Sequence, residues 1–149
     1  MTLAGLHHVT LAVPDVPAAE SYYASLFDLD VHFREGSRDG DFGTLPGGWD
    51  WGDAADAGVD PSLSVVGRDS LHLELTAAEE PQEPGHVRRI ALDVGMAERI
   101  DIRERAADLD ATVTQNAEST HVEDAYGFEW EFTEADLPLE PSVDELDVE

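Results

Sequence analysis

The chain has 149 residues, with 34 acidic side chains against 8 basic ones, a formal charge of −26 at pH 7 and no cysteine. The absence of cysteine excludes disulfides, thiolate zinc sites and cysteine nucleophiles, and with so few cations, all of them arginine, no basic stripe exists to displace counterions from nucleic acid. No apolar run is long enough to cross a bilayer and no secretory leader opens the chain, so a cytoplasmic protein with no membrane partner is expected.

Acidic residues are spread over every segment, and 42% of the chain is hydrophobic, which argues against a disordered acidic chain. The charge reads as a solvation adaptation, with a halophilic cytoplasm as the implied setting.

Residues 8–13 alternate, with Val9, Leu11 and Val13 on one face and His8, Thr10 and Ala12 on the other, the pattern of a half-buried strand. Pro14 ends it. Asp15 is a natural helix N-cap and Pro17 is tolerated in the first turn, so a helix is expected up to Phe27, with Ala19, Tyr22, Tyr23, Leu26 and Phe27 near one side. Short strands are expected at 31–34, 62–67 and 71–75. Residues 37–60 stand apart as an insertion rich in Gly and Asp, carrying Phe42, Trp49 and Trp51. Such a loop is either a lid or interface element or a surface loop anchored by one buried indole.

The second half repeats this order. Residues 89–94 form a strand with Ile90, Leu92 and Val94 on its apolar face. Residues 96–109 are helical, with Ile100, Ile102, Ala106 and Leu109 as core candidates. Strands follow at 111–115, 121–124 and 128–133, the last with Phe128, Trp130 and Phe132 on one side. The expected organisation is a first module at 1–80, a linker at 79–85, a second module at 86–133 and an acidic tail at 134–149. The tail's Leu137, Leu139, Val143 and Leu146 suggest packing on the domain or on a neighbouring subunit. An internal repeat of this kind outweighs any single motif.

Three stretches carry a family likeness: residues 5–13 (Gly-Leu-His-His-Val-Thr-Leu-Ala-Val) with the helix after them, Leu73-Glu74-Leu75-Thr76, and the turn Glu123-Asp124-Ala125-Tyr126-Gly127 leading into 128–132. Through them the chain resembles the vicinal oxygen chelate superfamily, which spans glyoxalases, bleomycin-resistance binding proteins, fosfomycin-resistance transferases and extradiol dioxygenases. The resemblance implies an α+β fold of two βαβββ modules, whose paired curved sheets surround a cavity. It also implies a small-molecule ligand or substrate and a homodimer. Carried over by position, the family's four metal-ligand places fall on His8, Glu74, Arg89 and Glu131. Period-two alternation puts His8, Glu74 and Glu131 opposite the apolar faces of their strands.

A guanidinium stays protonated and has no lone pair to give a metal, which leaves two outcomes open. In one, Mn, Fe, Zn or Ni binds His8, Glu74 and Glu131 while Arg89 holds a substrate anion. Glu131 or Glu74 then serves as general base, giving a glyoxalase-like lyase, isomerase or dioxygenase that acts on a small oxygen-rich substrate. In the other, Arg89 takes the metal's place as a salt-bridge cluster with Glu74 and Glu131 in a metal-free binding protein, where Trp49 or Trp51 stacks on the ligand. His72 shares the face of Glu74 and offers another route to a histidine ligand. His7 is assigned to the apolar face, and His32 and His121 have no assigned partner.

Overall fold

The chain is described by a computed structural model covering residues 6–78, 87 and 89–134. Gly5, the linker at 79–85, His86 and the leucines of the acidic tail lie outside the described residues. The chain divides into two compact units, Met1–Pro84 and Gly85–Glu149. Each holds one sheet with helix packed against it, giving two mixed sheets in an α+β fold of strand–helix–strands modules.

The first unit opens with β1 (Val9–Val13) and α1 (Val16–Phe27). The Asp15 carboxylate accepts the Ala18 N–H at 3.0 Å, satisfying one of the helix's orphan donors. The helix stops at Asp28, which turns into the left-handed region at φ 55°. Arg68 then donates to the carbonyls of Phe27 and Asp28 at 2.8 and 3.0 Å, placing a cation at the negative end of the helix dipole. Ala19, Tyr23, Leu26 and Phe27 are buried against Leu11, Val13, Val66, Leu73 and Leu75. These aliphatic residues come from β1, β4 (Asp60–Arg68) and β5 (Leu71–Ala77). With β2 (Asp30–Arg38) and β3 (Asp41–Thr44) the sheet runs β1-β5-β4-β2-β3, and only the β1–β5 pair is parallel.

The insertion is more ordered than its composition suggests. Strand β2 continues to Arg38, and Asp39 and Gly40, at φ 55° and 84°, turn the chain into β3. Two successive left-handed residues suit a tight hairpin whose twist matches its strands. A short helix α2 (Trp51–Asp56) follows. Asp50 and Asp53 form a reciprocal capping box at its start, with bonds of 2.8 and 3.0 Å.

The second unit contains β6 (Ile90–Asp93), α3 (Met96–Asp108), β7 (Thr112–Gln115), β8 (Ser119–Glu123) and β9 (Glu129–Thr133), in the sheet order β6-β9-β8-β7. Its core joins Trp130, Phe132, Thr120 and Val122 to Ile102 and Ala106. Ile100, expected in the core, is 40% exposed, and Arg99 is buried instead. Positions 99, 102 and 106 share one helical face, and Ile100 lies about 100° round from Arg99. The Arg99 guanidinium avoids isolation by donating to Thr120 Oγ1 and the Glu118 carbonyl. Among the described residues no helix is long and apolar enough to cross a membrane.

Candidate functional site

Each sheet packs one face against its helix, and the candidate residues belong to its other face, where Glu131 is itself buried. In the first unit, strand register puts Thr10 beside Glu74, Glu74 beside Val65 and Val65 beside Phe33. The helix-packed faces of the same strands carry Leu11, Leu73, Leu75 and Val66, so alternation assigns His8, His72 and Glu74 to the opposite face. His8 Nε2 stands 3.6 Å from Glu74 Oε2, and His8 Nδ1 lies 2.8 Å from His7 Nδ1. His7 is therefore not buried beside the helix, as its position in the strand suggested. It precedes β1, is exposed, and meets His8 edge-on.

The second unit gathers a denser polar group. Strand β6 runs parallel to β9 with Ile90 opposite Trp130 and Ala91 opposite Glu131, while His121 on β8 lies across from Glu131. Arg89, one residue before β6, reaches both acids of this face: its Nε is 3.5 Å from Glu129 Oε2 and its Nη1 3.7 Å from Glu131 Oε2. Thus Arg89 pairs with Glu131, and Glu129, two residues earlier on the same strand, supplies its second carboxylate within the unit. Glu129 Oε2 is shielded from solvent and accepts no hydrogen bond among the described residues.

His121 Nε2 lies 3.5 Å from Glu131 Oε1 and 3.0 Å from Ser119 Oγ. Asn116 Oδ1 accepts the backbone N–H groups of Glu118 and Ser119, and also faces Ser119 Oγ at 3.3 Å. The Ser119 hydroxyl proton is then directed to Asn116, so Ser119 Oγ accepts from His121 and the network assigns the ring proton to Nε2. Serine and glutamate share this one nitrogen, so the trio is not a nucleophile–base–orienter relay, which needs both ring nitrogens. Sequence reasoning left His121 without a role, because its place across from Glu131 comes from the register of β8 against β9. A hollow of about 370 Å³ next to this group is lined by Arg89, Thr112, Thr114, Gln115, His121 and Glu129, among others.

The tryptophans take other places. Trp51 Nε1 donates to Glu20 Oε2 at 3.0 Å, and the Arg34 guanidinium lies 5.5 Å from the centre of the Trp51 ring. Glu20 is a buried residue of α1 and Ser64 a buried residue of β4, so Trp51 anchors the insertion on the helix side of the sheet. The stacking role suggested for Trp51 does not fit that position. Trp49 lines a separate hollow with Phe42, Leu45, Pro46 and Val59, and that hollow includes none of His8, His72 or Glu74. Its backbone carbonyl accepts from Arg34 at 2.9 Å.

The metal positions can be tested for fit. A nitrogen and an oxygen bound to one ion at about 2.0–2.2 Å lie about 3–3.5 Å apart, close to the His8–Glu74 spacing, so this pair fits two neighbouring ligand places. Glu131 is a suitable acid, but Arg89 and His121 already face it. Among the described residues no three His, Asp or Glu side chains form a ready metal cluster.

Comparison with known proteins bears on the fold and the family. The chain is similar to a mutant form of the genomically encoded FosX fosfomycin resistance protein of Listeria monocytogenes, complexed with Mn(II) and 1S,2S-dihydroxypropylphosphonic acid. That match has 16% identity, covers 91% of this chain and 96% of the other, and has a TM-score of 0.65. FosX from Mesorhizobium loti matches at 15% identity and TM-score 0.61 over 91% and 95% of the two chains. A glyoxylase/bleomycin resistance protein/dioxygenase domain from Frankia sp. EAN1pec matches at 17% and 0.59 over 89% and 98%. No curated protein sequence matches the chain. The family model described as Glyoxalase/Bleomycin resistance protein/Dioxygenase superfamily matches residues 5–132. With that match spanning most of its length, the chain belongs to the glyoxalase/bleomycin resistance protein/dioxygenase superfamily.

Proposed function

We propose that this protein binds a small oxygen-rich molecule in metal-free form, with Arg89 and the carboxylates it pairs with as the organising group. The observation that carries this reading is the ion pair of Arg89 with Glu131 and Glu129 at 3.7 and 3.5 Å. A cation already stands at the second acid, so Glu131 needs no metal to offset its charge. Both distances exceed a good hydrogen bond, so the guanidinium keeps donors to offer a ligand oxygen. Glu129 Oε2, accepting no hydrogen bond among the described residues, is a matching acceptor for a ligand hydroxyl. His121, Thr112, Thr114 and Gln115 extend the polar lining. Trp49 remains a candidate ligand contact through its own hollow.

A second reading is favoured by the His8–Glu74 spacing of 3.6 Å. In it His8, Glu74 and Glu131 hold a divalent ion of the Mn, Fe, Zn or Ni kind, and the chain is an enzyme acting on an oxygen-rich substrate. The FosX relative crystallised with Mn(II) supports the plausibility of such an ion. When bound, the ion supplies Lewis-acid polarisation of a substrate oxygen. Arg89 would orient a substrate anion, and Glu74 or Glu131 would take up a proton from the reacting group.

Arg89→His separates the two. The substitution restores an imidazole at the family's fourth ligand place and releases Glu131 from its cation. Metal-free binding predicts that the wild-type chain, dialysed and titrated with Mn²⁺ in high salt, shows no site dependent on His8 and Glu131, and that Arg89→His gains one. A stoichiometric wild-type site that His8→Gln and Glu131→Gln each abolish would overturn the first reading and establish the second. Homodimerisation, expected from the resemblance, is checked by sedimentation in the same buffer.

A further inference from the structure

We propose that His32 and His72 form a separate two-imidazole site for a borderline divalent cation of the Zn²⁺ class, built over Gly67. Neither residue belongs to the ligand places that the family resemblance assigns, and the inference does not rest on either functional reading above.

Three features converge there. His72 on β5 pairs in register with Gly67 on β4, and the strand beyond β4 is β2, which carries His32. Two strand spacings, about 9.6 Å, separate β5 from β2, yet the two ring centres stand 5.2 Å apart with a 47° tilt. They come together because the strand between them has no side chain at that point. A Cβ on Gly67 would lie 2.7 Å from His72 Cδ2 and 2.8 Å from His32 Nε2, inside any permitted contact.

The third feature is the register of β2. Val31 pairs with Val66 and Phe33 pairs with Val65, so His32 is the extra residue of a β-bulge. Bulges re-aim a side chain and recur beside functional sites. Here the bulge brings the His32 ring over Gly67, on the face that also carries Phe33 and His72.

The ring separation matches chelation. Two imidazole nitrogens bound to one Zn²⁺ at about 2.0–2.1 Å, with an N–Zn–N angle of about 90–110°, put their ring centres about 4.5–5.2 Å apart. Imidazole suits Zn, Cu and Ni. His32 is exposed and His72 half-buried, so an ion reaches them without opening the fold. Arg34, two residues from His32, is engaged by the Glu20 carboxylate, and Arg68 donates to the carbonyls of Phe27 and Asp28 at the end of α1. With a formal charge of −26, the protein also concentrates divalent cations near its surface. Two protein nitrogens leave the remaining coordination positions to water or to an oxygen ligand.

The test uses the full chain, with Zn²⁺ measured by competition against a chromophoric chelator and Cu²⁺ by electron paramagnetic resonance. The wild-type chain should bind one Zn²⁺, and the first Cu²⁺ equivalent should show hyperfine structure from two nitrogens. His32→Gln and His72→Gln should each weaken Zn²⁺ binding at least about tenfold and remove the two-nitrogen signature. The combined variant His7→Gln, His8→Gln, Glu131→Gln, which removes two of the family's ligand places and the neighbouring His7 ring, should retain both. The idea fails if the site follows that combined variant, if the His32 and His72 variants bind as wild type, or if the wild type shows no affinity in the micromolar range. Unchanged far-UV circular dichroism verifies that the single variants remain folded.

Discussion

Glu20 shows what a buried charge requires of its surroundings. It sits in α1 with 5% of its surface exposed and accepts Arg34 Nε and Nη2 at 2.8 and 2.6 Å, Ser64 Oγ at 2.6 Å and Trp51 Nε1 at 3.0 Å. Burial alone pushes this carboxyl up. Hydrogen bonds from Arg34, Ser64 and Trp51, together with the Arg34 charge, outweigh it and hold the group below the ordinary value of 4.5. A carboxylate whose folded pKa is depressed stabilises the fold fully above its unfolded pKa, and that contribution is lost as pH falls through the folded value. Glu20→Gln should therefore cost about 3 kcal/mol at neutral pH, because Arg34 is left with its partner removed. It should also flatten the acid limb of the stability profile below about pH 4.5. Urea unfolding of both proteins between pH 3 and 7 measures both effects, and parallel acid limbs would refute the assignment.

Among the elements, the turn between β8 and β9 depends on one side chain. Asp124 Oδ1 accepts the backbone N–H groups of Tyr126 and Phe128 at 2.8 and 3.1 Å, and Oδ2 accepts Trp130 Nε1 at 2.8 Å. Gly127, at φ 83°, supplies the left-handed step. Asp124→Ala removes the acceptor of these three bonds, one of them from a buried indole, and should destabilise the chain by about 2–4 kcal/mol, read from the urea midpoint. The same turn marks what was legible in the sequence. Its Asp and Gly could be read as a hairpin, but the reach of Asp124 to Trp130 could not, because it depends on how the strand leaves the turn. Alternation located β1, β5, β6 and β9 and put His8, Glu74 and Glu131 opposite their apolar faces. The insertion was harder to read: its order comes from the Asp39-Gly40 turn, the Asp50–Asp53 capping box and the Trp51–Glu20 bond, all local or tertiary features without hydrophobic periodicity. His121 and the His32 bulge escaped for a related reason. Both depend on register between strands, which one strand's own pattern does not contain.

At the scale of the whole molecule the formal charge of −26 dominates. Like charges spread over a compact surface repel and favour the expanded chain, and added salt screens that repulsion within a Debye length of about 10 Å at 0.1 M and about 3 Å at 1 M. The melting temperature should accordingly rise between 0.1 M and 2 M KCl, with most of the gain below 1 M. A flat response in scanning calorimetry would contradict the expectation of a salt-adapted protein. Glu20→Gln should lose stability by a similar amount at both salt concentrations, because its partners are inside the fold, where screening is weak.

The parallel pairing of first strand with last, β1 with β5 and β6 with β9, also bears on how the chain folds. In each unit the first strand emerges long before the strand it pairs with, so it must wait for nearly the whole unit to be in place. The stretch to be closed from Val9 to Leu73 is longer than that from Ile90 to Trp130. Closure entropy grows only with the logarithm of length, so the first unit's disadvantage is a few tenths of a kcal/mol. Sequence-distant pairing still makes strand docking the slow event in both units. A nascent chain that ends before Glu129 has no partner for β6 and leaves the apolar Ile90 and Leu92 open to association with other chains. The interval before the last strand is made is thus when this acidic protein is most prone to aggregate, and its charge then serves to keep unfinished chains apart.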